Sequence, residues 1–195
     1  MENGIDMTNR VEQIVAGVLE DARFDILHCA CSNNLNIGEI LEGMKQEVSR
    51  VYMRGRSLAT ARPETLRRWN MEIDEACRLL DKMVGDLFTG YRKNRSIALI
   101  EYPTLAVRIG DGLRKKGIRF LLVTRQIFNI LIIRVVDDYF LEIPVSLETV
   151  DRIVGLIPYF LHRPDLAHEE VPGIRRTRNY RLARSWNEQT SGGSE

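Results

Sequence analysis

The feature that most constrains this chain is an apolar segment, FNILIIRVV, at residues 128–136. In a strand, one of its faces would carry Leu131 and Ile133, and the opposite face would carry Ile130 and Ile132. A strand that faces water on one side alternates apolar with polar residues, so this segment must be covered on both sides. At a sheet edge it would promote aggregation. The sequence therefore predicts a central strand of an antiparallel meander, covered on one face by a following helix and on the other by the helical bundle or a partner subunit.

The residues around this strand predict a small α+β unit over positions 96–165. Asp137–Asp138 supplies a two-residue turn between two apolar segments, and Ser146 is the expected N-cap of a closing helix. The predicted strands span about 97–102, 119–125, 128–136 and 139–143, and the predicted helices span about 103–116 and 146–161. A rival topology is a split βαβ unit of the ferredoxin-like type, whose last strand would be LAHEEV at residues 166–171. The meander is favoured because LAHEEV is poor in strand-forming residues.

The first half of the chain, residues 1–95, has helical periodicity. Apolar residues recur there at steps of three and four in three segments, which places them on one stripe of each helix. Asn36 followed by Glu39 is typical of a capping box, and Pro63 suits the first turn of the third helix. The predicted helices span about 7–30, 36–53 and 63–92. The fold class is thus α+β and mostly helical: an N-terminal antiparallel helical bundle followed by a small antiparallel β-meander flanked by helices.

The third helix is long enough that its end could project and leave apolar positions free for another chain; the alternative is that its whole stripe is core. Beyond Pro164 the apolar pattern fades. Residues 166–195 are therefore predicted to form an arginine-rich and largely flexible tail, with the last dozen or so residues disordered.

The basic residues are strongly biased towards arginine, with 23 Arg and 5 Lys among the 28. A guanidinium group suits phosphates and carboxylates better than an ammonium group. One group of arginines flanks the loop between the second and third helices, and the other lies in the tail. Aromatic residues that could stack on bases accompany both groups: Tyr52 and Trp69 the first, and Tyr180 and Trp186 the second. Two observations argue against nucleic acid. The net charge of +1 is unlike that of the strongly basic domains that bind it, and the acidic first 49 residues could neutralise the first group. The candidate polyanion-binding residues of the first group are Arg50, Arg54, Arg56, Arg62, Arg67 and Arg68. Those of the second group are Arg175, Arg176, Arg178, Arg181 and Arg184.

No catalytic, metal-binding or cofactor-binding motif is complete in the sequence. HCAC at residues 28–31 has the spacing Cys-x-Cys, and residues two apart on a helix point about 200° from each other. GDGLRKKG at 110–117 lacks the spacing of a phosphate-binding loop. Asp137–Asp138 is more typical of a solvated turn than of a catalytic pair. A pairing of Cys77 with His162 stays open. No enzyme activity, metal or cofactor is predicted.

A winged-helix interpretation with 103–116 as recognition helix is disfavoured, because it requires two short helices directly upstream. The N-terminus does not have the pattern of a signal peptide, and no apolar run approaches the roughly 18–20 residues of a membrane span. Three cysteines are too few for a disulfide framework, so a cytoplasmic location is expected. The expected function is that of a non-enzymatic interaction or regulatory protein that acts through protein–protein contacts and self-associates. The alternative is a nucleic-acid-binding accessory protein that uses the two arginine groups.

Overall fold

The structure, a computed structural model, describes residues 3–32 and 36–191. The chain divides into two compact units, Met1–Lys93 and Asn94–Glu195. The helices are α1 Asn3–Cys31, α2 Ile37–Met53, α3 Pro63–Arg114, α4 Val150–His162, α5 Ala167–Glu170 and α6 Tyr180–Ser191, with a 3-10 turn at Leu58–Thr60. The strands are β1 Phe120–Arg125, β2 Phe128–Val136, β3 Tyr139–Val145 and β4 Arg175–Arg178. No helix within the described ranges is long and apolar enough to cross a membrane.

The N-terminal unit is the predicted helical bundle. Val15 and Ile26 of α1, Val48 of α2 and Leu80 of α3 are fully buried in one core. Complete burial of one such side chain stabilises the fold by about 1.5–3 kcal/mol. Asn36 caps α2, because its side-chain oxygen accepts a hydrogen bond of 2.9 Å from the backbone N–H two residues further on. Of the apolar stripe of α3, Ala76 and Leu80 are buried in this core, and Met83 and Leu87 pack against it while partly exposed.

The predicted strand at 97–102 and the separate helix at 103–116 are wrong, because both segments belong to α3. The β-branched residues before Pro103 suggested a strand, but the buried residues Ala98, Leu105 and Ile109 have helical spacing. Pro103 removes one hydrogen bond to the carbonyl of Leu99. Both residues are exposed, so water can hydrate that carbonyl and the helix continues.

The C-terminal unit contains a four-stranded antiparallel sheet in the order β1-β2-β3-β4, which confirms that β2 is interior. Leu131 of β2 pairs with residues of both β1 and β3. It lies in a core with Leu105 of α3 and Ile153 of α4. α4 begins at Val150 and not at 146, because Ser146 starts a preceding turn. Gly112 allows close packing of α4 on α3, since a Cβ at that position would overlap the side chain of Val154.

The prediction of a flexible tail over 166–195 is wrong for the described residues up to 191. β4 pairs antiparallel with β3, and α6 packs on the second face of the sheet. There, Trp186 contacts Phe140 edge to face at a centroid distance of 5.5 Å, close to Ile132 of β2. The second face of β2 is thus covered by this chain's own C-terminal helix, and not by the helical bundle or a partner subunit. The proposed strand at 166–171 contains α5, so the ferredoxin-like topology is also wrong. Residues 192–195 lie outside the described residues.

Candidate functional site

The first arginine group is built around an aromatic stack at the junction of α2 and α3. The guanidinium of Arg56 lies 3.9 Å from the ring centroid of Tyr52 and 5.0 Å from that of Trp69. Tyr52 is fully buried, and burial lowers the pKa of Arg56. A cation stacked on two aromatic rings stabilises their packing by about 0.5–2 kcal/mol. Arg56 therefore stabilises the packing of α2 against α3, and the ring face of Tyr52 is not free to stack on a base.

Two further guanidinium groups and one carboxylate lie beside this stack. The guanidinium of Arg10 lies 5.7 Å from the ring centroid of Tyr52, and Arg68 forms a 3.7 Å ion pair with Glu72. Burial raises the pKa of Glu72, and the charge of Arg10 opposes that rise. Three guanidinium groups and one carboxylate thus share this part of the bundle, which is partly neutralised from within.

The remaining members of the first group differ in their contacts. Arg50 donates two hydrogen bonds of 2.6 and 2.7 Å to the carboxylate of Glu47, and this contact lowers the pKa of Glu47. Arg54, Arg62 and Arg67 are exposed and form no salt bridge with any residue that the structure describes. Of the first group, these three form no ion pair that a polyanion would have to replace, although the charge of Arg54 helps to lower the pKa of Glu47.

The second arginine group lies on an ordered part of the fold. The guanidinium carbon of Arg178 lies 4.5 Å from the ring centroid of Tyr139, and its Nε lies 3.6 Å from a carboxylate oxygen of Asp138. The Nε of Arg184 lies 3.0 Å from a carboxylate oxygen of Glu188, one turn further along α6. The other three are exposed and make no salt bridge within residues 3–32 and 36–191; they are Arg175, Arg176 and Arg181. Trp186 is buried, so of the two expected stacking aromatics of this group only Tyr180 is accessible.

An uncharged face of α3 is the feature that sequence reasoning missed, because the segment was predicted to be a strand. Ile97, Leu99, Ile100 and Val107 are 43%, 51%, 76% and 62% exposed. At about 100° per residue they fall within an arc of about 160°, opposite the buried side of the helix. We define the uncharged face by its exposed members, which are Ser96, Ile97, Leu99, Ile100, Pro103, Thr104 and Val107. An exposed apolar patch of this kind is typical of a protein interaction site.

A groove of about 640 Å³ follows the free edge of β1, between Tyr102 of α3 and Trp186 of α6. The Tyr102 hydroxyl donates a 2.9 Å hydrogen bond to the carbonyl of Leu122. The charged residues that line the groove are Arg114 and Arg119, and none of its described lining residues is a carboxylate, histidine or cysteine.

Burial raises the pKa of the Cys29 and Cys77 thiols, which keeps them protonated and poorly reactive. Within the described ranges, no group of three or more His, Cys, Asp or Glu side chains could hold a metal ion.

Asp137 adopts a positive φ of 44° in the turn between β2 and β3. Gly117 ends α3 with a φ of 65°, as a glycine at a helix C-terminus does.

The chain matches no protein-family model, no curated protein and no solved structure.

Proposed function

We propose that this chain is a non-enzymatic interaction or regulatory protein that self-associates through the uncharged face of α3. The observation that carries the proposal is the exposure of Ile97, Leu99, Ile100 and Val107 on one uninterrupted surface without a charged residue. Removing apolar surface from water stabilises a complex by about 25 cal/mol per Å² before the entropic cost of association. The three cysteines are free thiols, which suits a reducing cytoplasm as the place of action.

The test is the oligomeric state of the full chain. Sedimentation velocity across a concentration series is expected to show a reversible dimer or higher oligomer. Ile100→Glu places a carboxylate on the most exposed of the four large apolar residues of the face and is expected to give a monomer with unchanged circular dichroism. Val136→Glu is the matched control, because Val136 is also exposed and apolar but lies on β2. A wild-type chain that stays monomeric at high concentration would remove the proposal.

The second candidate is nucleic-acid binding through the second arginine group. Arg175, Arg176 and Arg181 favour it, since they are exposed on β4 and α6 without a salt bridge to any described residue. Such cations bind phosphates, and the affinity then falls steeply with salt.

Fluorescence anisotropy with labelled single- and double-stranded oligonucleotides, repeated across salt, separates the two candidates. If the second is right, R175E/R176E/R181E abolishes binding, and reversal of the first-group arginines Arg54, Arg62 and Arg67 has a smaller effect. No binding at low salt would exclude this candidate.

A further inference from the structure

Within the uncharged face, four residues form a narrow stripe along α3: Ile97, Ile100, Thr104 and Val107. They follow one another at steps of three, four and three, which keeps them within about 80° of the helix surface. All four are β-branched, so their side-chain torsions are already restricted in a helix and little rotamer freedom is lost on contact. The stripe is therefore well suited to packing against another helix.

The stripe ends in opposite charges. Lys93 precedes Ile97 by one helical turn, and Asp111 follows Val107 by one turn. Both charged residues are exposed, and neither forms a salt bridge with a described residue. A cation and an anion thus flank the apolar stripe on the same side of one continuous helix.

These positions are symmetric about residue 102. Lys93 and Asp111 lie nine residues to either side of it, Ile97 and Val107 lie five, and Ile100 and Thr104 lie two. A two-fold axis perpendicular to α3 at that level would place each residue opposite its symmetric counterpart in a second copy. Lys93 would then meet Asp111 of the partner subunit, and the same contact would occur again at the other end.

We infer that two copies of this chain pair α3 antiparallel about this axis, with the apolar stripe at the centre and a Lys93–Asp111 contact at each end. The inference rests on the proposed self-association and specifies its partner and geometry. A parallel pairing in the same register would place Lys93 against Lys93 and Asp111 against Asp111, and like charges across an interface disfavour association. The end charges therefore select the antiparallel arrangement and fix its register.

Charge exchange tests this geometry on the full-length chain. Either K93D or D111K replaces two attractive contacts by two repulsive ones, and each is expected to weaken dimerisation at least tenfold in sedimentation equilibrium at low salt. The double variant K93D/D111K restores both contacts with their signs exchanged and is expected to return to within about threefold of wild type. A 1:1 mixture of the two single variants is expected to form a heterodimer, because both of its end contacts are attractive.

Lys116→Asp and Glu148→Lys are the matched controls, since each makes the same charge change at an exposed position off the stripe and is expected to leave dimerisation unchanged. If the wild-type chain associates but neither the double variant nor the mixture recovers, the antiparallel geometry is wrong and the proposed function survives. If the wild-type chain is monomeric, both the antiparallel geometry and the proposed self-association are wrong.

Discussion

Asn129 shows how a single polar side chain fixes the position of β2 against α3. It is only 2% exposed. Its amide nitrogen donates a 2.7 Å hydrogen bond to the carbonyl of Ala98, and its amide oxygen accepts one of 2.7 Å from the Thr124 hydroxyl. A buried amide without such partners would destabilise the fold, so these two bonds favour one arrangement of strand and helix.

Asn129→Leu is expected to lower the free energy of unfolding by about 1–3 kcal/mol, because it removes both bonds and leaves the Thr124 hydroxyl without its acceptor. Urea denaturation followed by circular dichroism measures the change. Thr124→Val is the control: it keeps the bond to Ala98 and is expected to lose less. Equal stability of Asn129→Leu and wild type would contradict this role.

Glu72 is expected to make stability depend on pH. Burial raises its pKa in the folded chain, so the folded state favours the neutral form, and the wild type loses stability as pH rises from the unfolded pKa through the folded one. Glu72→Gln removes that loss. Its stability relative to wild type is therefore expected to rise as pH increases from about 4 to 7.

Glu47→Gln provides the opposite sign in the same measurement. Arg50 lowers the pKa of Glu47, so its charged form contributes stability at neutral pH that is lost as pH falls through that lowered pKa. Glu47→Gln is therefore expected to be less stable than wild type at pH 7. A Glu72→Gln variant that behaves like Glu47→Gln would contradict the assignment.

At the scale of elements, the sequence predicted those with a local signal. β2 occupies its predicted range of 128–136, because an apolar pattern on both faces and a turn at Asp137–Asp138 are visible in neighbouring residues. The segment at 97–102 has no clear period of its own, and its helical character appears only when Ala98 is seen with Leu105 and Ile109, beyond Pro103. The missed uncharged face of α3 is a consequence of that error.

The C-terminal helix was missed for a related reason. Its apolar contacts come from three residues among many polar ones, which are Leu182, Ala183 and Trp186. These three residues can be recognised as a buried face only when the sheet that they cover is known. The first arginine group was predicted as a cluster, and the proximity of Arg56 to Tyr52 was visible in the sequence. The contact of Arg56 with both Tyr52 and Trp69 depends on how α2 packs against α3, which no local pattern specifies.

Trp186 is expected to be the residue that holds α6 on the sheet. Trp186→Ala removes its contact with Phe140 and is expected to destabilise the fold by about 3–5 kcal/mol, the usual range for a large aromatic side chain in a core. It also uncovers the second face of β2, so binding of a hydrophobic dye should increase. Arg184→Ala, at an exposed position in the same helix, is the control and is expected to change stability by less than about 0.5 kcal/mol. If α6 does not contribute to the stability of the fold, both variants will have the stability and the dye binding of wild type.

At the scale of the whole molecule, the two units contain separate cores. Among the side chains that the structure describes, those of the N-terminal cluster lie at positions up to 91, and those of the two C-terminal clusters lie at positions from 102 onwards. Packing energy is local to a cluster, since apolar side chains gain only from the neighbours that they touch. α3 is the element that contributes to a core in each unit.

Two core substitutions in the full chain are therefore expected to act on different units. Leu80→Ala creates a cavity in the N-terminal core, and Leu131→Ala creates one beside the sheet, each at a cost of about 2–5 kcal/mol. Hydrogen–deuterium exchange is expected to accelerate in residues 3–32 and 36–93 for the first variant and in residues 94–191 for the second. Exchange reports local opening, and a cavity lowers the free energy of opening of the unit that contains it. If either substitution accelerates exchange equally in both ranges, the chain unfolds as one cooperative unit. The expectation that each substitution destabilises only its own unit is then wrong.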